Sequence, residues 1–512
     1  MIMSPLLGLI FCCLGQWLVL RTIYRLYLHP LKNIPGPKLA AISHLYEFYH
    51  DIIKGGQFIY EIQRMHNEYA LMQGPSSGPI VRINPREVHV IDPEFYDEIY
   101  ASGSRKRDKD PRFVPTFTLP TSMIATVGHD HHRFRRGILA NYFSRRSALE
   151  LVPLVEERVL KLMDRLDGFR QSQRIVRLDD AFAGFAADVI TLHSYGQRFG
   201  FLEDENFRCN IRQAVGEITV LSHYNRFFPR VVQVIDQLPL WLLSWLQPGK
   251  SSLYDLQRTV YAQSQESIAK RASGSELRRS VFTSLTDPKV PPHERTPRRL
   301  KYEGFLVLAA GTETTGRVLT IAAFHLAHNP EIRDRLRDEL KQVMPTPQSA
   351  VGFPELEKLA YLTAVINEAL RLASPLTIRL PRTAPDETLK YKHHVIPPGT
   401  PMSSSSYLMH RNVTIFPDPE RFDPERWLDG SEQDRRLTRY LTPFTRGSRM
   451  CLGINLAYVE LYLAIAHLVR RFDWELHETT PEDVRIVSDF ILGGTRRGDI
   501  KVDAKIVGCV QD

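Results

Sequence analysis

The sequence predicts a mainly α-helical fold with small β-sheets (an α+β fold), preceded by one N-terminal helix that spans a membrane. Residues 2–20 are apolar apart from Ser4 and Gln16 and contain no charge. Helical periodicity dominates the rest of the chain, whereas the proline- and glycine-rich run at residues 395–401 indicates turns beside short strands. Because no repeat or long polar tract interrupts residues 40–512, one large domain is the simplest organisation.

Composition excludes several classes of protein. The 512 residues are 43% hydrophobic and 24% charged, which is typical of a folded globular chain and not of a disordered, collagen-like or polytopic membrane protein. Lys and Arg total 66 against 58 Asp and Glu, and this mild excess suits an anionic cofactor, an acidic partner or a membrane surface better than nucleic acid. Five cysteines without a CxxC pair predict neither a disulfide framework nor a zinc finger, so a reducing compartment is expected.

The N-terminal apolar stretch is long enough to cross a bilayer. At about 1.5 Å per residue, residues 2–20 reach about 28 Å, close to the thickness of the hydrocarbon core. Arg21 and Arg25 follow at once, which places the remaining chain in the cytoplasm by the positive-inside rule. A cleaved signal is the alternative, but its basic start and small-residue cleavage site are missing. The predicted divisions are a transmembrane anchor at 1–28, a proline-rich hinge at 29–40 and the large domain at 41–512.

Three helices can be placed in the second half of the large domain. The longest is predicted over residues 299–327, stopped by Asn329 and Pro330. Asn329 is expected to cap a charged surface helix at 331–343, in which Glu331 and Arg335 are spaced for an i, i+4 ion pair. The third helix is predicted over 455–471, directly after a glycine-containing loop.

That loop contains a cysteine in an informative position. Cys451 lies at the predicted helix N-terminus, where the helix dipole and free backbone N–H groups favour a thiolate. Gly447 and Gly453 would let the backbone approach a flat ligand, and Arg449 could pair with an acidic group on it. These features favour a reactive or metal-ligating cysteine over a buried structural one.

The spacing of the loop is specific. Phe444, Gly447, Arg449, Cys451 and Gly453 fill every fixed position of F-x-x-G-x-R-x-C-x-G, so the loop resembles the haem-binding loop of the cytochrome P450 family. The resemblance implies the P450 fold for residues 41–512 and haem b as cofactor, with the Cys451 thiolate as axial ligand of the iron. It also implies that Phe444, Arg449 and Gly453 contact the cofactor.

A second match lies on a predicted amphipathic helix. Glu368 and Arg371 share a helix face at i, i+3, and taken alone such a pair is usually a surface ion pair. In the family, this pair joins an arginine from a later segment in a buried network that holds the cysteine loop. Arg426 is preferred for that role because of its distance from the cysteine, and Arg421 is the competing alignment.

The longest predicted helix contains an Ala-Gly-Thr-Glu-Thr-Thr run at residues 310–315. Gly311 should weaken the helix locally, and Thr314 can donate a hydrogen bond back to the carbonyl of Ala310. A tolerated irregularity in a buried helix is the alternative interpretation of this run. The resemblance implies that it lies over the haem iron, where Thr314 holds dioxygen and water and Glu313 helps to relay protons.

The histidine-rich segment at 128–132 suggests a metal site at first sight. On a helix, however, only His129 and His132 share a face, and no third ligand is evident, so zinc is disfavoured. The resemblance instead implies that His132 and Arg136 contact the haem propionates. Arg382 and Arg449 are the further propionate partners implied, which sets four basic groups against two carboxylates.

These matches extend over nearly the whole chain and imply a haem-thiolate monooxygenase. Such an enzyme takes electrons from NADPH through NADPH-cytochrome P450 reductase and inserts one oxygen atom of O2 into an apolar small molecule. The expected location is the endoplasmic reticulum, as a single-pass protein with a cytoplasmic catalytic domain. A haem-thiolate isomerase or dehydratase, and a haem-binding sensor or carrier without turnover, are the alternatives. Glu313 and Thr314 argue against both, since neither needs a proton relay.

The substrate is less well defined. Pocket-lining segments of the family correspond to residues 113–127, 305–309, 374–378 and 490–492, which are mostly apolar. Runs at residues 24–31, 46–49 and 53–57 resemble fungal secondary-metabolite members of the family, including trichodiene oxygenase-like ones, which favours a terpenoid over a polyketide or alkaloid. Residues 70–77 separate Tyr69 from a Gly-Pro-Ile-Val-Arg run that relatives attach directly, so they are either an inserted loop or a retained intron.

Overall fold

The computed structural model begins with a long apolar helix. It describes residues 3–73, 79–235, 237–246, 251–273, 280–428 and 437–510. Helix α1 (Met3–Ile23) continues into a π-helix (Tyr24–Leu28). Within the described ranges, Gly8–Leu28 is the one helix long and apolar enough to cross a membrane, and none of it is buried against the protein.

The segment after the anchor packs on the domain. Leu31 and Ile34 are buried in an apolar cluster, and the backbone N–H of Arg82 donates to the carbonyl of Pro35 at 2.6 Å. The Arg82 side chain also donates to the carbonyl of Arg25 at 2.9 Å. The predicted hinge therefore lies against the first sheet strand and is not a free linker.

Helices form most of the molecule. In the first half these are α2 (Lys38–Ile42), α3 (Leu45–Phe48), α4 (Phe58–Gln73), α5 (Tyr96–Ile99), α6 (His129–Ala140), α7 (Arg145–Glu150), α8 (Val152–Gln171), α9 (Leu178–Tyr195), α10 (Asn210–Thr219), α11 (Ser222–Phe227), α12 (Pro229–Ile235), α13 (Leu240–Leu246) and α14 (Ser251–Ala272). The second half contains α15 (Val281–Leu285), α16 (Pro297–His328), α17 (Pro330–Leu340), α18 (Phe353–Leu356), α19 (Ala360–Ala373), α20 (Ser406–His410), α21 (Ile454–Arg471) and α22 (Pro481–Val484).

The strands are short and form small sheets, as predicted. They are β1 (Ile80–Arg82), β2 (Val88–Val90), β3 (Asp108–Lys109), β4 (Val176–Arg177), β5 (Arg382–Thr383), β6 (Leu389–Tyr391), β7 (His394–Ile396), β8 (Pro401–Ser403), β9 (Phe472–Leu476), β10 (Ser488–Phe490), β11 (Leu492–Gly494) and β12 (Asp503–Cys509). One sheet has the order β1-β2-β8-β5-β3, with only β2 and β8 parallel. A second has the order β4-β12-β9, and β6-β7 and β10-β11 are two-stranded.

The main core surrounds α16, which packs most extensively on α9. Two glycines of α16 allow this close contact. A Cβ at Gly311 would lie 2.7 Å from Cγ1 of Ile190, and one at Gly316 would lie 3.0 Å from the backbone of Ala183. Helix α16 continues unbroken through Gly311, where the missing side chain makes room for Ile190, and the predicted local weakening of the helix stays a prediction.

Helix boundaries match the sequence-based ones closely. Helix α16 begins at Pro297, one residue after Thr296, whose side chain accepts a hydrogen bond from the N–H of Arg299. Helix α17 does start at Pro330, but the side chain of Asn329 donates back to the carbonyl of His325 and so does not cap α17. The capping prediction was wrong because the Asn329 side chain donates to the preceding helix, and its oxygen accepts no hydrogen bond from the N–H groups of α17.

Arg335 does not form the predicted i, i+4 ion pair with Glu331. Its guanidinium instead contacts Glu425, a residue far away in the sequence. Of the unusual segment at 70–77, residues 70–73 complete α4, and residues 74–77 lie outside the described residues.

Candidate active site

The cysteine loop forms a tight turn before α21. A 3₁₀ turn at Gly447–Arg449 leads into Cys451, whose N–H donates to the carbonyl of Phe444 at 2.9 Å, and Gly453 precedes the first residue of α21. Gly447 has φ 75°, and a Cβ there would lie 2.1 Å from the carbonyl oxygen of Tyr100. Gly447 is thus required for contact with the chain's own backbone, and the predicted approach of the loop to a flat ligand stays a prediction.

The thiol of Cys451 lies in an enclosed position. The residue retains accessible surface, and burial by the surrounding protein raises the pKa of its thiol. The N–H of Gly453 and the charge of Arg136 act in the opposite direction and favour the thiolate. Arg136 is held there by a hydrogen bond from Nη1 to the carbonyl of Met450 at 2.7 Å. This is the environment expected of a thiolate that ligates a buried metal.

Five basic side chains gather beside this loop, and we call them the cationic cluster: Lys109, His132, Arg136, Arg382 and Arg449. Their side-chain hydrogen bonds within the described residues go to backbone carbonyls. Arg449 donates to Arg107 and Thr126 at 3.1 and 2.8 Å, and Arg382 donates to Leu380 at 3.1 Å. In the part of the chain that the structure describes, none of the five forms an ion pair with a carboxylate.

Crowding of like charges is visible in the pKa values of the cluster. Burial, followed by the charge of Arg449, lowers the pKa of His132 to about 2, and burial followed by Arg382 lowers that of Arg449 to about 9. The pKa of Lys109 is also well below its usual range, chiefly through burial. Buried positive charge without a counter-ion is unfavourable, so the cluster suits a ligand with two carboxylates. The donor set therefore fits haem, with a thiolate for the iron and cations for the propionates.

The middle of α16 presents an exposed strip inside an otherwise buried helix. Ala310 is exposed and Thr314 is partly exposed, although residues on both sides of them along the helix are buried. The Thr314 hydroxyl donates to the carbonyl of Ala310 at 2.7 Å, which confirms the predicted backbone hydrogen bond. With its proton donated to the backbone, the hydroxyl oxygen still has lone pairs that can accept a further hydrogen bond.

Glu313 points to a different side of α16 from Thr314. It is buried, with Oε2 lying 3.4 Å from Nε of Arg212 and Oε1 lying 3.8 Å from Nη2 of Arg317. Burial is the main cause that raises its pKa to about 7, while Arg212 opposes that rise. Glu313 and Thr314 are therefore adjacent in sequence but belong to different surroundings, because successive helix residues are about 100° apart.

The structure joins Glu368, Arg371 and Arg426 in a buried group that we call the Glu368 network. Arg371 donates to both carboxylate oxygens of Glu368, at 2.7 and 2.9 Å, and Arg426 donates to Oε1 at 3.1 Å. The indole of Trp427 adds a hydrogen bond to Oε2 at 3.0 Å. Arg421 contributes only its backbone carbonyl, as an acceptor from Arg371, so Arg426 and not Arg421 reaches the carboxylate.

Three of the four predicted pocket segments meet in one apolar cluster. Phe113, Phe117 and Ile378 are buried together, with Ile491 packed against them. The fourth segment, at residues 305–309, lies on α16 in the main core. The outer face of Phe113 is covered by the guanidinium groups of Arg226 and Arg379, at 5.2 and 5.0 Å from the ring centre.

Sequence reasoning missed two residues of this region. Lys109 joins the cationic cluster from β3, and Arg212 approaches Glu313 from α10. In the sequence, Lys109 is one of several charges in a mixed run and Arg212 is an ordinary helical arginine, so neither had a distinguishing local signal.

For the histidine-rich segment, His131 binds Glu294 at 2.6 Å, and among the described residues no group of His, Cys, Asp and Glu side chains could hold a metal ion.

A helical domain with a thiol enclosed beside a cationic cluster defines the class of haem-thiolate proteins, and comparison with known proteins gives the family. The cytochrome P450 family model matches residues 51–499. The cytochrome P450 monooxygenase TRI4 of Fusarium sporotrichioides is 42% identical over 461 residues, covering 90% of this chain and 87% of that protein. The TRI4 protein of Trichoderma arundinaceum is 42% identical over 471 residues, covering 92% and 89%. The conidiogenone synthase PchP450 of Penicillium rubens is 42% identical over 464 residues, covering 90% and 91%.

The chain belongs to the cytochrome P450 family and is a P450 monooxygenase similar to fungal enzymes of secondary metabolism. Membership implies haem-thiolate iron, a redox partner that supplies electrons and an apolar substrate. The resemblance inferred from the cysteine loop is thereby confirmed, and so is the fold class.

Proposed function

We propose that this protein hydroxylates or epoxidises an apolar secondary metabolite, a terpenoid in preference to a polyketide or alkaloid, with O2 and electrons from NADPH-cytochrome P450 reductase. The cofactor is haem b, which supplies the oxygen-activating chemistry when it is bound. The protein's own residues bind it, orient the substrate, exclude water and deliver protons.

The single observation that supports this proposal best is the pairing of an enclosed cysteine with the uncompensated cationic cluster. Cys451 is the metal ligand, and His132, Arg136, Arg382 and Arg449 hold the propionates together with Lys109. Phe444 and Gly453 border the cysteine in the same turn. The Glu368 network is structural and keeps the loop in place.

Thr314 and Glu313 have separate tasks in the proposed reaction. The Thr314 hydroxyl lies on the exposed strip of α16, where it can donate a proton and accept one from water. Glu313 is buried behind it with a pKa near 7, chiefly because of burial, so it can both hold and release a proton at neutral pH. A proton relay is needed by a monooxygenase and by neither the isomerase nor the carrier alternative.

The lining favours a neutral, apolar substrate. The Phe113, Phe117 and Ile378 cluster contains no carboxylate that could pair with the ammonium group of an alkaloid. The two guanidinium groups against Phe113 are paired with the carboxylates of Glu47, Asp51 and Glu87, so they add no net repulsion of a cation. A neutral terpenoid needs no counter-charge in this lining, and its shape complementarity would come from the aromatic and β-branched side chains.

Replacement of the ligand cysteine tests the cofactor assignment. In Cys451→Ser, the strongly red-shifted Soret band of the reduced CO complex should be lost, because a serine oxygen cannot replace the electron donation of the thiolate. Cys509→Ser is the matched control, since Cys509 is exposed on β12, and it should retain the band. Persistence of the band in Cys451→Ser would refute the assignment.

The substrate class is tested by a panel of neutral terpenes, aromatic polyketides and basic alkaloids. Terpenes should give the largest Soret shift on binding and should be oxidised when reductase and NADPH are present. Preferential binding of a basic alkaloid would contradict the argument from the apolar lining. A hydroxylated or epoxidised product containing one atom from labelled O2 identifies the reaction.

The proposed location is the endoplasmic reticulum membrane, with the catalytic domain in the cytoplasm. Deletion of residues 1–28 should release the domain from membranes and leave the CO spectrum unchanged, since no residue of the proposed site lies in that segment. Protease treatment of sealed microsomes should digest the catalytic domain of the full chain. If the domain were protected, it would lie on the lumenal side and the proposed orientation would be wrong.

A further inference from the structure

The loop at residues 119–127 runs between the cationic cluster and the first half of α16, and we call it the pocket loop. It belongs to the predicted pocket segment at 113–127. Turns shape it: the N–H of Ala125 donates to the carbonyl of Ser122, and that of Thr126 donates to the carbonyl of Met123, both at 3.2 Å. Because turns do not fix the place of a loop on the domain, side chains of other elements must hold it.

The cationic cluster holds one end of the pocket loop. Arg449 donates to the carbonyls of Thr126 and Val127 at 2.8 and 2.5 Å, and the side chain of Lys109 donates to the carbonyl of Ile124. These two basic side chains are among those assigned above to the haem propionates. The position of this end of the loop is therefore coupled to cofactor binding.

Glu303 of α16 holds the loop from the other side. The N–H of Met123 donates to Oε2 of Glu303 at 2.9 Å, and the Glu303 side chain is 0% exposed. Nη1 of Arg299, one turn earlier in the helix, contacts the same oxygen. Oε1 makes no hydrogen bond within the described residues. A single carboxylate oxygen thus joins a cation of the helix to a backbone N–H of the loop.

A chain of ion pairs leads from Glu303 back to the pocket loop. Nε of Arg299 donates to Oε2 of Glu294 at 3.2 Å, and Nε of Arg135 donates to the same oxygen at 2.9 Å. Nη1 of Arg135 then donates to the hydroxyl of Thr126 at 2.9 Å. The loop is therefore attached at two points to one group, which we call the Glu303 network: Arg135, Glu294, Arg299 and Glu303.

The charges of the Glu303 network balance within the chain. Two carboxylates face two guanidinium groups. Burial would raise the pKa of Glu294, but hydrogen bonds from Arg135 and His131 outweigh it and lower that pKa to about 2, so the group stays charged. A balanced buried ion group is often no more stabilising than apolar side chains of the same volume, whereas its hydrogen bonds fix directions that apolar packing leaves open.

The residue after Met123 is the contact of the pocket loop with the proposed substrate lining. Ile124 packs against the cluster of Phe113, Phe117 and Ile378. The hydrogen bond to Glu303 is therefore one residue away from this contact. A neutral terpenoid has few polar groups by which it could be oriented, so its pose depends on where such apolar side chains stand.

We propose that Glu303 is a positioning residue that fixes Ile124 against the bound substrate and thereby selects the carbon that is oxidised. This inference rests on the proposed monooxygenase function and adds a determinant of its regiochemistry. Without the carboxylate, the pocket loop is still held by Arg449, but Ile124 can shift. A displacement of about 1 Å is enough to change which carbon lies nearest the reacting centre. Glu303 acts through the loop and not by contact with the substrate.

The first experiment measures the tether without turnover. Hydrogen exchange of the holoprotein is followed by mass spectrometry in peptides that cover the pocket loop. In Glu303→Leu, the amide of Met123 should exchange about 10 to 100 times faster, as expected when a hydrogen bond to a charged group is lost. Glu303→Gln keeps an acceptor oxygen and should restore most of the protection.

Glu339→Leu is the matched control. Glu339 of α17 accepts hydrogen bonds from the N–H groups of Tyr361 and Leu362 at 2.8 and 2.9 Å, away from the pocket segments. Its replacement should accelerate exchange at the start of α19 and leave the pocket loop unchanged. Faster exchange in the pocket loop of this variant would mean that loss of any such carboxylate loosens the domain, and it would overturn the specific role of Glu303.

Turnover supplies the second measurement. The probe is the neutral terpene of the panel above that gives the largest Soret shift. In Glu303→Leu the Soret shift should persist, while the ratio of the major to the minor oxidation products should fall about ten-fold because the substrate is held in more than one pose. Glu303→Gln should restore the ratio, and Glu339→Leu should leave it unchanged.

Unchanged exchange in the pocket loop, or an unchanged product ratio, in Glu303→Leu would overturn the proposal. If that variant does not fold, Ile124→Ala decides instead, since it leaves the Glu303 network intact: the product ratio should fall, and an unchanged ratio would overturn the assignment. Failure of the proposed function would appear differently, as a wild-type protein without the thiolate spectrum or without oxidised product. Selection of a carbon would then fall with it, while hydrogen exchange would still decide the tether.

Discussion

The Glu368 network and the cationic cluster are both buried and rich in arginine, but only the network contains a carboxylate that pairs with its arginines. In the network, both oxygens of Glu368 accept hydrogen bonds from Arg371, and Arg426 and Trp427 complete the set. In the cluster, the donors of Arg449 and Arg382 reach only backbone carbonyls. A group whose charges are matched within the chain is structural, whereas one without a matching charge indicates a ligand of opposite charge.

Breaking the matched group should have the largest effect. Glu368→Gln keeps the shape but removes the carboxylate that Arg371 and Arg426 share, leaving buried Arg371 without a counter-ion and Arg426 with only Asp423, 3.8 Å away. Unfolding free energy should fall by about 3–5 kcal/mol, with little holoprotein recovered. Thermal and denaturant unfolding measure this loss. Glu425→Gln, which removes the exposed partner of Arg335, should cost less than about 1 kcal/mol.

Removing a charge from the unmatched group should act on ligand affinity and not on folding. In Lys109→Met the buried stem is kept and one cation is lost, so haem should dissociate about 10 to 100 times faster, as expected for a lost hydrogen bond to a charged group. Transfer of haem to an apo-globin acceptor measures the rate. Lys106→Met, at an exposed residue paired with Asp130, is the control. If Lys109→Met lowered the stability of the chain and left the rate of haem release unchanged, the cationic cluster would be structural and would not be the ligand-binding group.

Thr314 combines features of both groups. Its hydroxyl forms a hydrogen bond within its own helix, yet the residue remains partly exposed on the strip of α16. Thr314→Ala should leave haem and substrate binding intact, while product per NADPH falls several-fold and hydrogen peroxide rises. Thr320→Ala is a close match, since Thr320 makes the same backbone hydrogen bond to Gly316 at 2.7 Å but is fully buried. Equal product ratios in the two variants would remove Thr314 from the mechanism.

The His66–His89 pair shows a third way to bury ionisable groups, by keeping them neutral. The rings share a hydrogen bond of 2.8 Å, and burial lowers the pKa of His66 to about 3 and that of His89 well below its usual range, with His66 and Arg379 adding to the latter. The unfolded chain therefore binds more protons below pH 6.5, so stability falls as pH decreases.

The loss should be about 1 kcal/mol per histidine at pH 5.5 relative to pH 7.5, measured by urea unfolding. The double variant His66→Leu/His89→Leu should have a flatter pH profile, whereas His393→Gln, at an exposed position, should keep the steep one. A wild-type stability that is constant between these pH values would exclude a buried neutral pair.

Local features of the fold could be predicted because their causes are local. The start of α21 within one residue of Gly453 follows from glycine spacing and helical periodicity, and the hydrogen bond from Thr314 to Ala310 follows from the i, i–4 geometry of any helix. Glu368 and Arg371 share a face for the same reason. The helix cap at Asn329 failed because the same side chain could bond either to the preceding helix as a donor or to the following helix as an acceptor, and pattern alone does not rank the two.

By itself the sequence determined the family and predicted the ligand cysteine and the anchor, since each depends on residues close together in the chain. Only the tertiary structure decided that Arg426 and not Arg421 reaches Glu368, that Lys109 joins the cations, and that Glu313 turns toward Arg212. These contacts join segments tens to hundreds of residues apart. Burial then fixes their charge states, because desolvation and neighbouring charge depend on which side chains the fold encloses together.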